Sequence, residues 1–153
     1  MSTISTAEMQ KRIGTETLSD WVEVTQAMID QFADATGDHQ FIHVDPEACA
    51  TMSPWGVPIA HGFLTLSLMP LLSSKIPDAP TIEGAKMGVN YGGNSVRFLS
   101  PVRSGSKVRG TFKLLSFDEK RPGQWQQTNS FAVEIEGQDK PALIAEWISQ
   151  IFV

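Results

Sequence analysis

The chain has 153 residues, enough for one domain with its own core and too few for two of ordinary size. Hydrophobic residues make up 41% and charged residues 19%, an ordinary globular balance; with a formal net charge of -5 and no basic arm or stripe, a nucleic-acid partner is not expected. The single cysteine, Cys49, excludes an internal disulfide and a cysteine-built metal cluster.

The polar opening, Met1 to Glu16, lacks the apolar stretch of an export leader, and the most apolar run, Phe63 to Leu72, is too short for a bilayer. These features predict a cytoplasmic protein with no membrane partner. The reading is one domain over 1–153, in which 1–19 form a loosely held N-terminal segment. Trp21-Val22-Glu23-Val24 alternates as a short strand. Thr25 offers a helix N-cap and Gly37 a left-handed C-cap. Between them Met28, Ile29, Phe32, Ala33 and Thr36 recur at helical spacing, which predicts a helix over 26–36. Residues 37–44 then form a turn. Asp45-Pro46 caps and opens a second short helix, with Cys49 as a small buried residue on it. Two prolines and a glycine make Ser53 to Pro58 a loop.

After His61-Gly62 the chain runs without charge to Lys75. This predicts a helix surrounded by protein, bent or shortened at Pro70 because proline lacks the N–H that would continue it. Residues 76–84 form a Pro-rich connection. The second half alternates in the manner of strands. Val89, Tyr91, Val96 and Phe98 give a long strand, bulged at Gly92-Gly93, and further strands cover 107–117, 125–135 and 142–153. Turns fall at Ser104-Gly105, Pro122-Gly123 and Glu136-Gly137. The class is therefore α+β: one apolar helix wrapped by an antiparallel sheet. Such a unit leaves sheet edges open, and pairing of two sheets edge to edge in a homodimer would cover them.

Chemistry-bearing residues gather ahead of the sheet, in Gly37-Asp38, Ile42-His43-Val44-Asp45 and Ile59-Ala60-His61-Gly62. Asp38 and His43 share one turn, and a carboxylate and an imidazole brought together there can hold a water and move its protons. Gly62 opens the apolar helix, where the first N–H groups lack internal partners and can meet an oxygen that gains charge. Spacing alone leaves other readings open. Asp38 also reads as a cap, His43 and His61 as structural histidines, and His39 as solvent-facing. His39, His43, Asp45 and His61 match no standard metal-ligand spacing, so no metal is expected.

The run Phe32-Ala33-Asp34-Ala35-Thr36-Gly37-Asp38-His39-Gln40-Phe41-Ile42-His43-Val44-Asp45-Pro46, followed by Ile59-Ala60-His61-Gly62-Phe63-Leu64, resembles the MaoC-like hydratases. These are also called (R)-specific enoyl-CoA hydratases or hydratase 2, and the likeness is to their nodulation protein N-like branch. Val96 to Gly105 resembles the family's strand-turn signature, and the resemblance spans roughly Trp21 to the C-terminus. It implies a hot dog fold, a long helix wrapped by an antiparallel sheet, working as a dimer. It implies reversible syn addition of water to a trans-2-enoyl thioester carried on CoA or an acyl carrier protein, with no cofactor. Asp38 and His43 match the family's catalytic pair, and Gly62 the residue whose N–H meets the thioester oxygen. With Gly62, Gln40 and His61 complete the expected oxyanion and substrate-binding set. The family's Asn-Pro between the catalytic pair is here Gln40-Phe41, a longer amide and no proline ring. Two other functions fit the same architecture on sequence grounds: a thioesterase, and a non-catalytic acyl-thioester binder.

Overall fold

The meander is set by its turns. Gly105, Gly123 and Gly137 have φ of +85°, +74° and +78°, a conformation that side chains strain and glycine adopts freely. In the computed structural model, which describes residues 2–153, these turns precede or separate long antiparallel strands. In chain order the elements are β1 (Thr3–Ile4), α1 (Thr6–Gln10), β2 (Glu16–Leu18), β3 (Val22–Glu23), α2 (Gln26–Thr36), α3 (Phe41–Val44) and α4 (Pro46–Met52). They continue as α5 (Gly62–Ser67), α6 (Met69–Ser74), β4 (Thr81–Ile82), β5 (Met87–Phe98), β6 (Lys107–Arg121), β7 (Gln124–Ile135) and β8 (Leu143–Phe152). One antiparallel sheet runs β2-β6-β7-β8-β5, with β3 also on β6.

The N-terminal segment differs from the expectation of a loose tail. Ser5 and Glu8 form a reciprocal capping box that starts α1. β2 pairs with β6, and the Gly14 N–H donates to the Leu114 carbonyl at 2.7 Å. β1 and β4 form a small parallel ladder. These contacts tie 3–19 to the sheet despite their polar composition.

The apolar helix is interrupted at Leu68, two residues before Pro70, so it consists of α5 and α6 end to end. Leu64, Leu68 and Leu72 recur every fourth residue and are buried against the concave face of the sheet, among Phe112, Phe131, Val133, Leu143 and Ala145. Each such side chain contributes about 1.5–3 kcal/mol on burial. The opposite stripe is not surrounded by protein: Phe63 is 65% exposed and Leu71 37%. The edge strand β5 shows the same trait, exposing Met87, Val89, Tyr91 and Phe98. Its pairing with β8 shifts register between Asn90 and Gly92 and again between Asn94 and Arg97, beside the expected bulge at Gly92-Gly93.

Candidate active site

The site is built where α2 ends. The Thr25 hydroxyl accepts from the Met28 N–H at the start of α2, and Gly37, with φ of +80°, ends it. The chain then reverses through Asp38 and His39 into the single turn α3. Asp45 closes this stretch by capping α4, its carboxylate accepting from the Ala48 N–H at 2.9 Å. Pro58 to Ala60 lie alongside. The Ile59 N–H donates to Ile42 O, the Ala60 N–H to Val102 O, and Pro58 O accepts from the Ser104 N–H. This turn is thus held by main-chain bonds to a loop that is itself held to the sheet.

His43 is buried at 6% exposure, whereas the Asp38 side chain is half exposed. His43 Nδ1 lies 2.7 Å from the Ile59 carbonyl oxygen, which can only accept, so Nδ1 carries the hydrogen. The lone pair of Nε2 then faces Asp38 Oδ2 at 4.0 Å. That gap is too long for a direct hydrogen bond, but a water about 2.8 Å from both atoms fits it with an angle of about 90° between its two bonds. Both groups are acceptors, and the two O–H bonds of one water satisfy them together. Burial depresses the His43 pKa below its usual value; the Ile59 hydrogen bond and the Asp38 charge oppose this, and His61 adds to it.

The Asp38 carboxylate is aimed by local bonds. Its Oδ1 accepts from the Gln40 N–H at 3.3 Å. The sequence reading gave the Gln40 side chain a substrate-binding part. In the structure Gln40 is exposed, its side-chain amide makes no hydrogen bond among the described residues, and its main chain does the positioning. Gln26, not singled out in the sequence, donates from Nε2 to the His43 carbonyl at 2.8 Å and anchors α3 from the first turn of α2.

Gly62 is the first residue of α5, which leaves its N–H outside the helical bonding pattern. A Cβ built there would lie 2.9 Å from the Phe98 ring, so glycine is what lets Phe98 pack on this backbone. Gly62, His43, Thr65, Trp55 and Phe98 line a cavity of about 310 Å³. A larger cavity, about 480 Å³, lies at the far end of α6, bordered by Ser73, Ile76, Asn129 and Trp147. No histidine lines it, whereas His43 lines the smaller space.

His61 is 2% exposed, lines neither cavity, and stacks on His43 with ring centroids 3.8 Å apart. It is therefore placed behind the site and not among substrate-facing groups. His39 is exposed and pairs with Asp34 at 2.9 Å, which raises its pKa. His39 and Asp45 are thus engaged elsewhere. Asp38, His43 and His61 do converge, with one ligand-capable atom from each within 4.8 Å of the others. Cys49 is buried, which raises its thiol pKa.

An antiparallel sheet packed on the apolar α5–α6 pair, with Asp38 and His43 meeting in the turn ahead of α5, defines the class. The fold is the hot dog fold of MaoC-like dehydratases and (R)-hydratases. The chain resembles the MaoC-like dehydratase from Rhodospirillum rubrum with a TM-score of 0.71 at 22% identity, covering 92% of each chain. It resembles the (R)-hydratase from A. caviae with a TM-score of 0.70 at 23% identity, covering 90% of this chain and 94% of that one. The model of the MaoC like domain matches residues 8–135, and the chain belongs to that family. Among relatives, nodulation protein N of Rhizobium leguminosarum bv. viciae is 48% identical over 99% of this chain and 93% of its own length. The 3-hydroxyacyl-thioester dehydratase Z of Mycobacterium tuberculosis is 51% identical over 85% of this chain and 83% of its own.

Proposed function

We propose that this protein is an (R)-specific hydratase/dehydratase of enoyl thioesters, a hydro-lyase acting as one domain in fatty acyl metabolism in the cytoplasm. One observation carries the reading: two proton acceptors, Asp38 Oδ2 and His43 Nε2, stand 4.0 Å apart beside a cavity whose wall includes Gly62. The relative described as a 3-hydroxyacyl-thioester dehydratase supports the choice of substrate class. Among the described residues no helix is long and apolar enough to cross a membrane.

In this reading a trans-2-enoyl thioester, on CoA or an acyl carrier protein, enters the smaller cavity with its carbonyl oxygen toward the Gly62 N–H. Asp38 and His43 bracket one water. As the water oxygen bonds to C3, the pair lifts one of its protons and the carbonyl gains enolate character, which the Gly62 N–H stabilises. His43 Nε2 starts without a proton, so the pair has none of its own to give: the proton taken from water is the one handed to C2. Oxygen and hydrogen arrive from the same side, and the addition is syn. Dehydration runs the same steps backwards. The scheme calls for no metal or redox group.

The exposed apolar stripe on β5, with Phe63 beside it, supports a homodimer joined along that strand. Light scattering checks this: Val89→Glu with Tyr91→Glu yields monomers, and a dimer that survives both changes places the interface elsewhere.

The test of function is absorbance of crotonyl-CoA. Hydration removes the enoyl band while total thioester stays constant. Loss of the band in wild type, and its persistence with Asp38→Asn or His43→Ala, is the expected result. Release of free thiol instead would mark a thioesterase, and turnover unchanged in both variants would remove the pair from the mechanism.

A further inference from the structure

We propose that His61 is a positioning residue for the acid–base pair, clamping Asp38 through its main chain while backing the His43 ring; the inference rests on the hydratase reading above. His61 Nε2 lies 2.9 Å from the Asp38 carbonyl oxygen, across 23 residues of sequence. A carbonyl only accepts, so Nε2 carries the hydrogen. This is the shortest hydrogen bond to Asp38 among the described residues; the others are Gln40 N to Oδ1 at 3.3 Å and Asp38 N to Thr36 Oγ1 at 3.5 Å. The carboxylate itself is half exposed and held by one long bond from Gln40 N, so its aim also depends on where its main chain is held.

The same imidazole fixes the other partner. Its ring stacks on His43 at 3.8 Å with 25° between the planes, and Phe32 packs behind it at 5.0 Å. His43 is therefore confined by a ring on one face and by its own bond to Ile59. His61 is also the residue before Gly62, so the main chain carrying the free N–H begins at the clamp. One buried side chain thus references all three working groups to each other.

The ring holds this place at a cost. His61 Nδ1 is buried with no hydrogen-bond partner among the described residues. An apolar side chain of similar size would fill the space without leaving a polar atom unsatisfied. The bond to Asp38 is what an apolar side chain could not make.

Three variants test the proposal. His61→Phe keeps a flat ring and loses the N–H. His61→Gln puts an amide N–H near the position of Nε2, and His61→Asn carries an amide too short to reach it. The expected result is kcat of the Phe variant down about ten- to a hundredfold with KM within about threefold, since misplacing a catalytic group costs rate more than binding. Thermal melts show which variants fold. The Gln variant is expected to recover kcat to within about threefold of wild type. Should the Phe variant not fold, the Gln variant must still exceed the Asn variant about tenfold in kcat.

Three results would overturn the clamp: a folded Phe variant within about twofold of wild type, a Gln variant no better than Phe or Asn, or a loss confined to KM. Proton NMR separates this from failure of the function itself. If wild type hydrates no enoyl thioester, the hydratase reading fails. The clamp then stands on a slowly exchanging imidazole N–H resonance that His61→Phe removes, and falls if wild type lacks that resonance.

Discussion

The two ends of the α5–α6 helix pair both face open space, yet only one of the two cavities has a histidine on its wall. Beyond α6 lies the larger cavity, about 480 Å³, walled by the concave sheet where the helix is too short to cover it. Ahead of α5 lies the smaller one, about 310 Å³. The difference is what borders each. The smaller space has Gly62 and His43 on its wall, with the Asp38 carboxylate 4.0 Å from His43 Nε2. The larger has the polar side chain of Asn129, nine-tenths buried, and no histidine on its wall. Volume locates room for a ligand; free backbone donors and paired acceptors locate a reaction.

The contrast is broken most severely by removing the pair. Asp38→Asn and His43→Ala are each expected to lower kcat/KM for crotonyl-CoA by about 10²–10⁴-fold, the usual worth of general acid–base catalysis, with near-native melting. Gly62→Ala comes next. Its Cβ would stand 2.9 Å from the Phe98 ring, so ring or helix start must move. A loss of roughly tenfold or more in kcat is expected from displacing the N–H, approaching the 10²–10³ of a deleted oxyanion donor. Restoration by Gly62→Ala with Phe98→Leu would sharpen the assignment to that contact.

A smaller effect concerns pH. Burial depresses the His43 pKa, so its neutral form, with the Nε2 lone pair free, persists below the usual value of about 6.5. The acid limb of kcat/KM is therefore expected to have its midpoint below about 6.5. The same depression makes His43 favour the folded state above that range. This contribution is lost as pH falls from about 6.5 through the folded-state pKa, because the unfolded chain takes up the proton first. An acid limb above about 6.5 would mean that His43 is not the group observed. The smallest effect belongs to the far end. Asn129→Leu, which keeps the branching of the side chain but is bulkier and apolar, is expected to leave kcat on crotonyl-CoA within about twofold, since the residue borders only the larger cavity. A large loss would join the two cavities into one site.

Much of this was legible in the sequence because the signals were local. Thr25 and Gly37 bound α2 at the predicted residues, Asp45-Pro46 opens α4, and Pro70 breaks the apolar helix. The proximity of Asp38 and His43 followed from their shared turn, and the family resemblance supplied the chemistry expected of them. What was not legible depends on contacts remote in sequence. The strands β1 and β2 span two and three residues, too short for any alternation to register. The role of Ile59 in orienting His43, and the packing of Phe98 on Gly62, join residues whose separation leaves no pattern. Gln40 was judged by its side chain, whereas its main chain holds the carboxylate, and main-chain bonding is silent in residue type. The hydrogen on His43 Nδ1 needed the Ile59 carbonyl, 16 residues away, and it is what turns the proposed acid plus base into a relay for one proton.

The proposed syn hydration is tested most directly by the product formed in deuterium oxide. Crotonyl-CoA incubated with wild-type protein is expected to give (R)-3-hydroxybutyryl-CoA with deuterium at C2 on the face that received the hydroxyl, as read by NMR. Deuterium on the opposite face, the (S) product, or free CoA in place of the hydrated thioester would contradict the account.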